Sequence, residues 1–176
     1  MTDLDKYKAD VDGFFRDNSP KVFGNYTQDH ANYVIHKLLE SAENSMVLLS
    51  GKYPCDFYDE LCKDFESAVE RIARSHGTVR IITADGTINE KLLQFAEKHK
   101  EVVEYRPAKY NGEVPISHFM VVDGKRYRLE RPHEVVDNAP DPVNAEVCCN
   151  GKDKADELIS FFDSVWKVLN PAEGKK

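Results

Sequence analysis

The chain has 176 residues, 41% hydrophobic and 31% charged, with a formal net charge of -7. This is the profile of one globular domain with room for a single sizeable core. It excludes a membrane-spanning helix, which needs about eighteen consecutive apolar residues, and a surface coated in sequence-blind nucleic-acid affinity, although a local basic groove remains compatible with it.

The amino-terminal stretch MTDLDKYKADVDGFF carries acids where a secretory leader has a basic end and an apolar run, so a cytoplasmic home without membrane partners is expected. Residues 3–17 are charged and weakly amphipathic and lead to Asn18-Ser19-Pro20, which predicts a short helix in an arm spanning residues 1–26. A globular domain over residues 27–170 follows. From Thr27, a good cap residue, Ala31, Val34, Ile35, Leu38, Leu39 and Ala42 recur at helical spacing as far as about Ser41. Ser45–Ser50 is a short continuous apolar run closed by Gly51, the pattern of a strand buried on both faces. Residues 56–76 return to helical spacing, with Gly77 placed as a helix C-terminal glycine. The strand 79–83, a helix over 88–100 and the strand 102–105 continue the alternation, so the architecture is α/β with a mixed sheet and helices on both faces.

The rhythm then changes. Residues 116–122 and 125–130 flank Asp123-Gly124 and read as an antiparallel hairpin. Three prolines mark 131–144 as a surface loop, 145–149 is a last strand, and 153–169 is an amphipathic helix before a frayed tail at 171–176.

Parity along the hairpin places the candidate chemistry. With a three-residue connection, Asp123-Gly124-Lys125, His118 lies opposite Glu130 with Arg128 nearby, whereas a two-residue turn would mix the faces. Imidazole, carboxylate and guanidinium in one patch can tune the histidine and hold an anion through arginine. Cross-strand sets of this kind also decorate ordinary solvated sheet faces. Lys125, Arg126 and Arg131 add basic groups around the hairpin, His133 lies in the following loop, and Glu146 enters the last strand pointing toward the edge that holds His118. Cys55, Cys62, Cys148 and Cys149 lack zinc-type spacing and read as reduced, and neither HExxH nor an acid-rich loop is present, so no metal is expected. The phosphate-cradling glycine loops and the GxSxG elbow are also missing, so no nucleotide cofactor is expected.

Over about residues 27–169 the chain resembles one repeat of the phospholipase D superfamily. The similarity rests on SMVLLSGKY, VRIIT, VEYRP, ISHFMVVDGKRYRLE, NAEVCC and the closing helix with Phe162-Asp-Ser-Val-Trp166. The resemblance implies a metal-independent H-x-K-x4-D signature in which histidine is the nucleophile, lysine binds phosphate and aspartate completes the set. Aligned on Phe119–Asp123, Asp123 takes the aspartate position, His118 the lysine position and Ile116 that of the nucleophile. If His118 is instead the displaced nucleophile, Met120 stands where lysine belongs. Arg128 is then the substitute cation and His133 or Glu130 the substitute acid. One signature per chain implies a homodimer that combines two half-sites. The expectation is a degenerate binding or regulatory module with an anion-recognising groove for nucleic acid or a partner protein. The alternatives are a divergent phosphodiesterase or nuclease using His118, and a dimeric scaffold without a ligand.

Overall fold

The computed structural model describes residues 2–50, 54–84, 90–108, 117–131 and 144–169, with backbone alone at 54–60. Its elements in chain order are α1 (Asp3–Arg16), β1 (Val22–Asn25), α2 (Gln28–Glu40), β2 (Ser45–Ser50), α3 (Pro54–Arg74), β3 (Thr78–Thr83), α4 (Glu90–Lys98), β4 (Val103–Pro107), β5 (His118–Val122), β6 (Arg126–Glu130), β7 (Ala145–Cys148) and α5 (Lys152–Leu169). The strands form one seven-stranded mixed sheet in the order β1-β7-β6-β5-β2-β3-β4. The two βα crossovers give the parallel pairs β2–β3 and β3–β4, and every other neighbour is antiparallel.

Side-chain alternation along the strands divides the core in two. Met46, Ile81, Met120, Val122 and Val147 face α1 to α4 through Val11, Leu38, Phe65, Ile72 and Phe95. Val47, Leu49, Ile82, Phe119 and Tyr127 face α5 through Ala155, Leu158 and Phe162. The mixed α/β sheet with helices on both faces is the architecture that the periodicities require.

Three local features differ from expectation. Residues 3–16 are a layer of the core and not an arm standing off it: Val11 is fully buried, and Tyr33 on α2 donates a hydrogen bond of 2.7 Å to Asp12. β1 is an additional strand, paired with β7, in a stretch where only four residues enter the sheet and no clear alternation marks them. At the end of α3 the left-handed residue is His76, with φ of 57°, and Gly77 serves close packing, because a Cβ there would strike the Asn44 carbonyl.

The hairpin connection is the three-residue form. Val122 pairs with Arg126, and both Asp123 and Gly124 adopt positive φ, 51° and 63°. Asp123 holds this turn against the beginning of β2, where its carboxylate accepts the backbone amides of Glu43, Asn44 and Ser45 and the Arg126 guanidinium. Replacing Asp123 with alanine leaves those donors without their acceptor. The expected loss is about 2–3 kcal/mol, read in urea unfolding as a lower midpoint with an unchanged slope.

Candidate functional site

Strand ends assemble a polar row on the face covered by α1 to α4. The register joins Asn25 of β1 to Ala145 of β7, Ala145 to Glu130 of β6, and Glu130 to His118 of β5. One step past the Leu49–Phe119 pair, Ser50 stands beside His118, and Ser50 is itself paired with Thr83 of β3. Asn25, Thr83, Ser50 and Glu130 are buried polar groups, an uncommon concentration for a sheet interior. The row lies at the carboxyl ends of the parallel strands β2 and β3, the edge at which α/β sheets hold ligands.

Arg128 projects from one row further in, level with Met120 and Val147. Its Nε donates to Asn25 Oδ1 at 3.0 Å and its Nη2 to Glu130 Oε2 at 2.8 Å. Burial makes each charge costly alone, and the pairing with hydrogen bonds on both sides makes them tolerable together. The helices contribute next. Tyr7 of α1 donates to the Gly24 carbonyl at 3.1 Å, and its ring stacks on His30 of α2 with centroids 3.7 Å apart. Burial pushes the Tyr7 phenol above its ordinary value, the nearby positive charge of Arg128 opposes the rise, and Tyr26 adds to it. Two atoms in this region, Asn25 Nδ2 and His30 Nδ1, are buried without a hydrogen-bond partner.

The structure thus puts His118, Glu130 and Arg128 on one face, with His118 across from Glu130 as the hairpin parity requires. It separates them from other residues expected at the site. Lys125, Arg126 and Asp123 belong to the turn at the opposite end of the hairpin, a strand length of roughly 15 Å away. There Arg126 pairs with Asp123 at 3.2 Å. The basic residues therefore do not form one anion patch. Arg131 is exposed one residue past Glu130, and its alternation directs it to the other face. Glu146, expected to accompany His118, sits across from Leu129 on the α5 side. There burial first, and then the charge of Glu146, push the Tyr127 phenol up to about 12. His133 lies outside the described residues. Among the described residues no group of three or more His, Cys, Asp or Glu side chains is placed to hold a metal ion, and no helix is long and apolar enough to cross a membrane.

Sequence reasoning missed Asn25, Tyr7, His30, Ser50 and Thr83. Ser50 and Thr83 end predicted strands, Tyr7 and His30 lie within predicted helices with nothing local to mark them, and Asn25 falls where no strand is predicted.

Removing one member of the buried pair isolates the other. Arg128→Ala or Glu130→Ala is expected to cost about 3–5 kcal/mol, whereas the double apolar replacement Arg128→Met with Glu130→Leu recovers most of that loss in the same denaturation experiment. A double variant as unstable as the singles would contradict this account.

No family model and no curated protein matches the chain. Solved structures do. An archaeal chromatin protein, TrmBL2, described as showing a novel mode of DNA binding, superposes with a TM-score of 0.61 at 14% identity over 93% of this chain and 62% of its own. The chain therefore spans less than two thirds of that protein. Nuc from Salmonella typhimurium, a phospholipase D family member, gives 0.58 at 15% identity over 85% of this chain and 95% of its own. NucT from Helicobacter pylori gives 0.56 at 13% identity over 84% and 96%. At these identities the likeness speaks for the fold: the seven-stranded sheet and its helices have the phospholipase D-like arrangement.

Proposed function

We propose that this chain is a phospholipase D-like binding module, acting as a cytoplasmic homodimer, that recognises a phosphate-bearing ligand, foremost nucleic acid, without the phosphoryl transfer of the family signature. The observation that carries this reading is the state of Arg128. A substitute phosphate-binding cation has to be presented to the substrate, but this one is buried between Asn25 and Glu130. Its charge is already balanced inside the fold.

The alignment adds support. With Asp123 at the signature aspartate, the lysine position holds His118 and the nucleophile position Ile116. A phosphohistidine route needs a nucleophile, a cation on the phosphate and an acid for the leaving group, and this set supplies them incompletely. The likeness of the fold to TrmBL2, a chromatin protein with a novel mode of DNA binding, favours nucleic acid over other phosphate carriers.

A second reading has its own observation. Glu130 is the cross-strand partner of His118, and a carboxylate placed there can orient an imidazole for proton transfer or attack. The divergent phosphodiesterase therefore remains the competing reading.

Incubation of the protein in excess chelator with labelled single- and double-stranded DNA, RNA and a chromogenic phosphodiester, beside His118→Ala, separates the two. The module shows saturable binding with no turnover. Cleavage abolished by His118→Ala establishes the phosphodiesterase and ends the module reading. Light scattering on the same sample is expected to give twice the chain mass, and a monomer at all concentrations would remove the homodimer.

A further inference from the structure

The margin of the sheet at β1 is open on the α5 side. α5 packs chiefly against β2, β5 and β6, which leaves Val22, Gly24 and Tyr26 along the uncovered edge. Tyr26 is 61% exposed, yet its ring is not loose: it lies along the strand over Gly24, where a Cβ would strike Oη and Cζ. The glycine gives one face of the ring a backbone bed and leaves the other face to solvent. Val22, also about half exposed, extends this apolar strip. Charge stands in the row just past the last strand pairs. Asn25 pairs with Ala145 and Ala145 with Glu130, so the next step aligns Tyr26, Asn144 and Arg131, and the Arg131 amide donates to the Asn144 carbonyl at 3.1 Å. Arg131 is exposed on the same face as Tyr26, and among the described residues its side chain has no ion pair or hydrogen bond. Two strand spacings put the backbones of Tyr26 and Arg131 roughly 10 Å apart. Glu146 lies one row back, across from Gly24.

We infer that this margin holds single-stranded nucleic acid, with an unpaired base stacked on the outer face of Tyr26 and a backbone phosphate on Arg131. It rests on the nucleic-acid reading above and narrows it to one strand. Every base has a π-face, but only a base that is not already stacked and paired within a duplex can settle on an aromatic ring. A tyrosine ring already held flat on backbone loses little freedom when it does so. The guanidinium supplies what the ring lacks, a fork of donors for phosphate oxygens. Glu146 repels phosphate, so the strand follows the row of Arg131 and Asn144 while its base turns in over the Tyr26 ring. The chain as a whole is acidic, with a net charge of -7, so the attraction is local and its dependence on salt is shallow. A peptide strand added to β1 is the less favoured occupant, because Tyr7 of α1 already reaches this strand and donates to the Gly24 carbonyl at 3.1 Å.

The test is fluorescence anisotropy of the full chain with a labelled single strand of about 12 nucleotides, a strand of the same length built of abasic residues, and the matching duplex, at about 50 mM salt. The single strand is expected to bind at least about tenfold more tightly than the duplex or the abasic strand, the size of one base–aromatic stack. Tyr26→Ala removes that advantage and leaves binding of the abasic strand as it was, while Tyr26→Trp retains the advantage. Gly24→Ala, which displaces the ring without deleting it, weakens the single strand as well. Arg131→Ala weakens all sequences alike and reduces the slope of log K against log salt by about 0.7. Tyr26 and Arg131 are exposed, so their variants are expected to unfold in urea at the native midpoint. Equal binding of single strand and duplex by the native protein overturns the platform, as does a Tyr26→Ala variant that binds the single strand as tightly as the native chain. Either result leaves the broader nucleic-acid reading standing. Binding of none of the oligonucleotides removes both and leaves this margin to a protein partner.

Discussion

The Asp123 carboxylate fixes the register on which every other assignment in this molecule depends. By accepting three consecutive amides at the entrance of β2, it ties the hairpin turn to a strand that is distant in sequence. Side chains alternate along a strand with a period of two, so a slip of one residue would carry His118, Arg128 and Glu130 to the α5 face and bring Phe119, Tyr127 and Leu129 to the other. That exchange would put charge into the apolar layer beneath α5. The polar row is therefore a consequence of an anchor at the opposite end of the strands.

The second constraint is the cost of burying charge. Arg128 and Glu130 neutralise one another at the polar edge of a face whose interior is apolar, and Asn25 supplies the oxygen that the arginine still needs. Such an arrangement contributes less to stability than an apolar replacement can, while removal of one partner is severe. It gives the face a fixed polarity and geometry at one edge, with α1 closing over it through Tyr7. The separation of the basic residues follows from the same geometry. Arg126 serves the turn, Arg128 serves the interior, and sequence proximity says little about which of them a ligand meets.

Much of the fold was legible because it rests on periodicity. The spacing in α2, the short buried runs of β2 and β3 and the parity of the hairpin each follow from one local pattern, and the three-residue turn was derivable from keeping Phe119, Val121, Tyr127 and Leu129 on one face. β1 was not legible, because a four-residue strand with a glycine in it carries too few alternating positions to register. The packing of α1 was hidden for a related reason: its burial rests on Val11, Tyr7 and a few aromatic contacts and not on a full apolar stripe. Glu146 was misdirected because the face of a strand-entry residue depends on register with β6, which sequence does not reveal. The polar row shows the same limit, since Asn25, Glu130, His118 and Ser50 come into line only once five strands, β1, β7, β6, β5 and β2, are aligned.

The pairing of β1 with β7 also bears on how the molecule is made. Among the described strands β1 emerges first and its sheet neighbour β7 last, with Val22 waiting for Cys148. During synthesis the β2–β3–β4 unit and its helices can form from local contacts, while β1 and the site-bearing Asn25 stay without their partner until almost the whole chain has left the ribosome. Contacts that close so long a loop form late and slowly. The polar row is therefore completed in the final step of folding, and a truncated or stalled chain can own a sound parallel half-sheet while lacking the site altogether.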